Sequence, residues 1–231
     1  MGLESSAKAV AVLYSGGLDS SILLAHLLDQ YRHVQPIYVD SGLFWQADEL
    51  RASRRFLDAL QSPRVAELVV LGLPLADLYA DHWSITGRGV PDAATPDAAV
   101  YLPGRNPLLI IKAWIWCQMH AVERLALGCL KSNPFADATD EFFDRFAAVL
   151  DQAVPARVQL VRPFAPLDKC EVMQLGRALP LELTWSCLSP RGGMHCGGCN
   201  KCAERQQAFR MIEAPKAANC QPAARAVKIK N

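Results

Sequence analysis

The segment that most constrains this chain is "AVAVLYSGGLDSSILLAHLL", residues 9–28. Ala9–Tyr14 is a short continuous apolar run, the mark of a buried strand. Ser20–Gln30 reads as a helix with Ile22, Leu23, Leu27 and Leu28 on its apolar face. Between them stand Ser15, Gly16, Gly17, Leu18, Asp19 and Ser20. Two adjacent glycines reach backbone angles closed to other residues, so successive N–H groups can curl around an anion. The start of the next helix adds unpaired N–H groups and a positive dipole end. Ser15 and Ser20 supply hydroxyls, and Asp19 can cap the helix or hold a magnesium ion. Strand, glycine loop and helix in this order make a phosphate cradle. It is neither a Walker loop nor a dinucleotide fingerprint, because G-K-[ST] and G-x-G-x-x-G are both missing there. The competing reading is an ordinary glycine turn.

The rest of the chain repeats the alternation of strand and helix. Strands are expected at Pro36–Asp40, Ala66–Leu73, Arg124–Leu130 and 158–164, with helices over 46–60, 106–121, 137–153 and 168–179. Residues 74–104 are rich in Pro, Gly and Asp and read as a long loop with one helical turn, of the kind that often carries function. The economical architecture is α/β: a doubly wound, five-stranded parallel sheet with helices on both faces. Ligands in such sheets sit at the carboxyl ends of the strands, where Tyr14, Asp40 and the segment after Leu130 fall. Residues 1–184 form the α/β domain, 185–212 a zinc-binding segment packed on it, and 213–231 a basic, Ala/Pro-rich tail that is loosely held.

Net charge is +1, which argues against direct nucleic-acid binding through a global field. The N-terminus lacks the layout of a signal peptide, and no apolar stretch reaches membrane-spanning length. Met1–Gly2 with Ser6 is a weak match to a myristoylation pattern, outweighed by the cytoplasmic character of the remainder. A homodimer is the default oligomer for an enzyme of this size.

Eight cysteines are present. Cys196, Cys199 and Cys202 stand at C-x2-C-x2-C spacing, too close for easy disulfide pairing, and Cys187 precedes them. Four thiolates fill the coordination of zinc, so the site would be closed and structural. An iron–sulfur cluster is the rival, disfavoured because nothing else in the chain points to redox chemistry. His195 is a rival ligand but is better read as a supporting neighbour. Cys117 and Cys129 read as core residues.

The S-G-G-x-D-S loop resembles the pyrophosphate loop of the N-type ATP pyrophosphatases. "YLPGRN" (Tyr101–Asn106), "PLDKCEVMQLG" (Pro166–Gly176), "ELTWSC" and "CAERQQAF" extend the resemblance. Together they resemble the 7-cyano-7-deazaguanine synthase family of the queuosine pathway, over most of residues 9–210. The resemblance implies adenylation of 7-carboxy-7-deazaguanine or a related planar acid by ATP. Condensation with ammonia or an amine then gives an amide, and a second activation gives a nitrile. Catalysis of this kind rests on positioning and on cations that neutralise the phosphates. Asp19, Arg105 and Lys169 are the candidates, with surface charge as the competing role for Arg105 and Lys169.

Two segments depart from the family. Where it has a Y-G-Q-R-H-like stretch after strand two, this chain has "DSGLFWQADEL". Where it has Y-P-D-C-R-P-E-F after strand four, this chain has "FADATDEF" (Phe135–Phe142), keeping Asp137, Glu141 and Phe142. Phe44, Trp45 and Phe135 can stack on a planar base or serve as core. Asp137 and Glu141 can accept from a guanine-like N–H edge or simply favour a helix start. Asn106 is a substrate contact or a helix cap. The ATP and zinc parts are therefore kept while the acceptor-reading parts are altered. This leaves tRNA-base modification, a protein acceptor and a binding module as alternatives.

Overall fold

The computed structural model describes residues 9–153 and 158–213. Five parallel strands form the sheet: β1 (Ala9–Leu13), β2 (His33–Asp40), β3 (Val69–Gly72), β4 (Arg124–Ala126) and β5 (Gln159–Val161). Their order is β3-β2-β1-β4-β5. Crossovers run outward in one direction from β1 to β3 and then restart on its other side at β4. The switch point therefore lies at the carboxyl ends of β1 and β4, directly beside the glycine loop.

Side-chain alternation along β1 explains why helices cover both faces. Val10 and Val12 join the core formed by α1 (Leu18–Leu27), Phe56 of α2 (Gln46–Leu60) and, further along the chain, Val172, Met173 and Ala208. Ala11 faces the opposite core, with Ile110, Ala113, Trp114 and Cys117, and with Phe143 and Leu150. Trp114 is fully buried and its indole N–H donates to the Val158 carbonyl at 3.0 Å.

The segment 74–104 is more ordered than its composition suggests. It holds α3 (Ala76–Tyr79), α4 (Trp83–Thr86) and a 3-10 turn at Asp97–Val100, where one helical turn was expected. Helix α5 (Arg105–Met119) follows, then α6 (Asp140–Ala153) and α7 (Lys169–Leu175). Asp168 caps α7 in a reciprocal box with Glu171, a D-x-x-E signature that places Lys169 at the first helical position.

The strands β3, β4 and β5 are shorter than the apolar runs predict. Beyond Ala126 the Leu127 N–H makes one more bond to the Val161 carbonyl, and Gly128 then lies against the Asp19 backbone, where a β-carbon would come into contact with it. The last helix, α8 (Asn200–Glu213), has no counterpart in the sequence reading. Its sequence lacks an apolar stripe, since Cys202 and Ala208 supply its fully buried positions. Residues 214–231 and the Met1–Ser6 pattern lie outside the described residues.

A third core sits over the carboxyl edge of the sheet. Leu43, Trp45, Val100, Leu102, Trp185, Leu188 and three of the clustered cysteines pack there, with Trp83 and Phe135 against them. Asn200 pins the 74–104 segment to the cysteine segment, its N–H donating to the Pro91 carbonyl at 3.0 Å and its amide to the Thr95 carbonyl at 2.9 Å. This core roofs the switch point.

Candidate active site

Between that roof and the sheet lies a cavity of about 360 Å³. Its floor is the glycine loop. Gly16 holds φ +70°, and a β-carbon there would collide with the Ser53 hydroxyl of α2, so no other residue fits the turn. The Gly16 carbonyl accepts the Trp185 N–H at 2.8 Å, which fastens the loop to the cysteine segment. Ser15 and Ser20 are joined through their hydroxyls at 3.1 Å, and Ser20 Oγ donates to the Gly17 carbonyl at 3.2 Å. Gly17 serves as the N-cap of α1 without a side-chain cap, leaving the helix start open to an anion.

Charge on the floor is arranged as a chain. Lys169 Nζ donates to both carboxylate oxygens of Asp19 at 2.8 and 2.9 Å and to Glu204 at 3.3 Å. Lys201 donates to the other Glu204 oxygen at 2.5 Å. Burial works against the Lys169 charge, but Asp19 and Glu204 outweigh it and push its pKa up. Burial raises the Asp19 carboxyl against the pull of Lys169. Burial likewise acts on Glu204, but Lys201 and Lys169 prevail and hold it below its usual range. Arg205 bonds the Thr184 hydroxyl at 2.6 Å and the Leu181 carbonyl at 2.9 Å, and lies over the Phe209 ring at 4.8 Å.

The upper part of the cavity is aromatic. Trp45 and Trp83 stack at 5.8 Å, and Tyr101 meets Phe135 at 5.2 Å. Asn106 is not the cap of α5; Gly104 takes that position, and the Asn106 amide donates to the Asp137 carbonyl and carboxylate, both at 3.2 Å. Arg105 also lines this part, and its buried Nε has no hydrogen-bond partner. Glu49 sits on the same wall, its Oε2 accepting the Tyr38 hydroxyl at 2.7 Å. Burial pushes its carboxyl up to about 7, against the opposing charge of Arg105 and hydrogen bonds from Tyr38 and Trp45.

Of the residues singled out in the sequence, Ser15, Gly17, Leu18, Asp19, Ser20, Trp45, Arg105, Asn106, Phe135, Asp137 and Lys169 share this cavity. Apart from the clustered cysteines, four do not line it. Gly16 contributes backbone beneath the floor. Asp40 turns back to accept the Gly42 N–H at 3.0 Å. Phe44 is 45 % exposed and covers Gly87. Glu141 is exposed on α6, paired with Arg145 at 2.6 Å. Arg105 and Lys169, grouped together in the sequence reading, keep different company: Lys169 answers Asp19 and Glu204, whereas Arg105 faces Glu49 and Tyr79.

Glu49, Tyr38, Trp83, Lys201, Glu204 and Arg205 escaped the sequence reading. Glu204 and Arg205 stand inside "CAERQQAF", a segment already noted for its resemblance. Glu49 carries no local mark, because one acid in an amphipathic helix reads as a solvated charge.

The four clustered cysteines lie on one wall of the third core. Their sulfurs all fall within 4.8 Å of one another. Cys196 and Cys202 are 3.9 Å apart at sulfur, against an edge of about 3.8 Å for a tetrahedron with zinc–sulfur bonds of ordinary length. Backbone N–H groups of Ser189 and Cys196 point at Cys187 Sγ at 3.3 and 3.2 Å, as thiolates require. The donor set fits a metal ion. His195 stands beside it: its Nε2 accepts the Ser186 N–H at 3.3 Å and its ring packs on Trp185. Cys117 and Cys129 are core thiols, each pushed up to about 12 by burial.

The doubly wound parallel sheet, with its glycine loop at the switch point, has an adenine-nucleotide alpha-hydrolase-like fold. The NMN synthetase of Francisella tularensis shares this fold, with a TM-score of 0.50 at 13% identity over 94% of this chain and 81% of that one. The chain belongs to the family described as "Queuosine biosynthesis protein QueC", whose model matches residues 8–213. It is 33% identical to the 7-cyano-7-deazaguanine synthase of Methanopyrus kandleri, over 86% of this chain and 92% of that one. It is 28% identical to 7-cyano-7-deazaguanine synthase 1 of Desulfitobacterium hafniense, over 88% and 92%. No helix among the described residues is long and apolar enough to cross a membrane.

Proposed function

We propose that this protein is an ATP-dependent carbon–nitrogen ligase that activates 7-carboxy-7-deazaguanine, or a related planar acid, and condenses it with ammonia or an amine. One observation carries the reading: a single cavity has the glycine loop as its floor and paired aromatic rings above it. Phosphates and a planar base would be held there within reach of each other.

A carboxylate oxygen of the acid attacks the alpha phosphorus, and the bond to the beta phosphate breaks. The departing pyrophosphate is received by the loop N–H groups, the start of α1, Lys169 and Lys201. An amine nitrogen then bonds to the acyl carbon, and AMP leaves with the electron pair of the carbon–oxygen bond. A second activation on the amide oxygen removes it with AMP and leaves the nitrile. Trp45 and Trp83 hold the planar ring, while Asp137, oriented by Asn106, accepts from a guanine-like N–H edge. Asp19 is the residue that would hold magnesium, and Lys169 would then stay with Glu204 and the phosphates. Zinc at the four cysteines would supply folding energy in a closed site.

Purified protein given ATP and a panel of planar acids that includes 7-carboxy-7-deazaguanine should release pyrophosphate only when an acid is supplied. Release that ignores the acid, or no release with any member of the panel, defeats the reading.

A further inference from the structure

Glu49 has no part in that scheme, yet it is a buried carboxylate on the cavity wall with no ion-pair partner among the described residues, as is Asp137, which the Asn106 amide already engages. Its neighbour Asp48 pairs with Arg51 instead. Helix α2 places Glu49 between the two parts of the site. Its carbonyl and the Ser53 side chain lie beneath Gly16, while Tyr38, Trp45 and Arg105 surround its carboxyl group. A carboxylate is not needed to accept hydrogen bonds from Tyr38 and Trp45; a glutamine oxygen, with two lone pairs, does so without burying an ionisable group.

We propose that Glu49 is the proton acceptor for the incoming amine. The inference rests on the acyl-adenylate reading above. An amine is a nucleophile only when its lone pair is free, and ammonium has none. The Glu49 carboxylate takes one proton from ammonium. The freed nitrogen bonds to the acyl carbon, the bond from that carbon to the phosphate oxygen breaks, and AMP leaves with the electron pair. The remaining surplus proton on nitrogen passes to solvent. A carboxylate with an ordinary pKa is a weak base for this step, and burial brings Glu49 close to neutrality, where proton transfer is most effective. The ionisable groups facing it are Tyr14 at the end of β1, Tyr38 and Asp40 of β2, and Arg105 of α5. Burial holds both phenols protonated through the neutral range. Activity with ammonium should therefore fall as pH drops through about 7, where the base becomes protonated.

The test separates activation from aminolysis. Pyrophosphate–ATP exchange dependent on 7-carboxy-7-deazaguanine reports activation, and amide formation from ammonium chloride reports aminolysis. Hydroxylamine, largely unprotonated at neutral pH, needs no base to react. Glu49→Gln should keep exchange and hydroxamate formation at rates comparable with the unaltered protein, while amide formation falls at least about a hundredfold. Its remaining amide formation should follow the fraction of free ammonia alone, with no added break near pH 7, and Glu49→Asp should restore a break from a carboxylate base. Undiminished amide formation in Glu49→Gln overturns the proposal. So does a parallel loss of exchange, hydroxamate and amide, which would mark Glu49 as a structural or acid-binding residue. Absence of exchange in the unaltered protein defeats the adenylation reading itself, a result distinct from any obtained with the variants.

Discussion

The floor and the upper part of the cavity are held by opposite kinds of interaction. On the floor four charges answer one another in the chain Asp19–Lys169–Glu204–Lys201, while Arg205 is held by neutral acceptors. In the upper part rings answer rings, and the charged groups keep unused capacity: Glu49 has no ion-pair partner among the described residues and Arg105 Nε has no hydrogen-bond partner. The difference teaches how each part can work. A paired floor can receive a further charged group only by exchanging partners. An under-satisfied wall still has contacts to offer.

The sharpest way to break the comparison is at Asp19. Asp19→Ala should lower acid-dependent pyrophosphate release at least about a hundredfold, because the loop loses its only carboxylate and Lys169 is left to Glu204. Steady-state release assays measure this; a loss below about tenfold would show that the floor's charge chain is structural rather than catalytic.

Next comes the four-cysteine cluster, which shares α8 with Lys201, Glu204 and Arg205. Cys199→Ser should leave less than one zinc per chain and lower the melting temperature by about 10 °C or more. Elemental analysis and thermal melts test both, and the KM for ATP should rise with them. An unchanged KM in a metal-depleted protein would separate the cluster from the floor.

The smallest effect belongs to the aromatic wall. Trp83→Leu should raise the KM for the planar acid about three- to tenfold and leave the KM for ATP unchanged. Equal rises in both would erase the division between the two parts.

Legibility in the sequence divided along the same line. The glycine loop, the capping box before Lys169 and the cysteine spacing are local patterns, each set by backbone geometry within a few residues. They could be read without knowing what packs on them. The upper wall could not. Trp45 and Trp83 are far apart in the chain and meet because the 74–104 segment folds over the sheet edge. Phe44, beside Trp45, points to a neighbouring glycine instead, and nothing in "GLFWQ" distinguishes the two rings. Asp137 enters the cavity while Glu141, four residues on, faces solvent, because a 3-10 turn ends before α6 begins.

By itself, the sequence determined the alternation of strand and helix, the glycine loop and the four-cysteine cluster, because each is fixed by short-range sterics, periodicity or residue spacing. Tertiary structure alone decided which charges share a site. Arg105 and Lys169 look equivalent in the chain, yet one faces Glu49 and the other Asp19. Burial of Glu49 beneath the roof, a consequence of long-range packing, turned an unremarked helix acid into a group that titrates near neutrality.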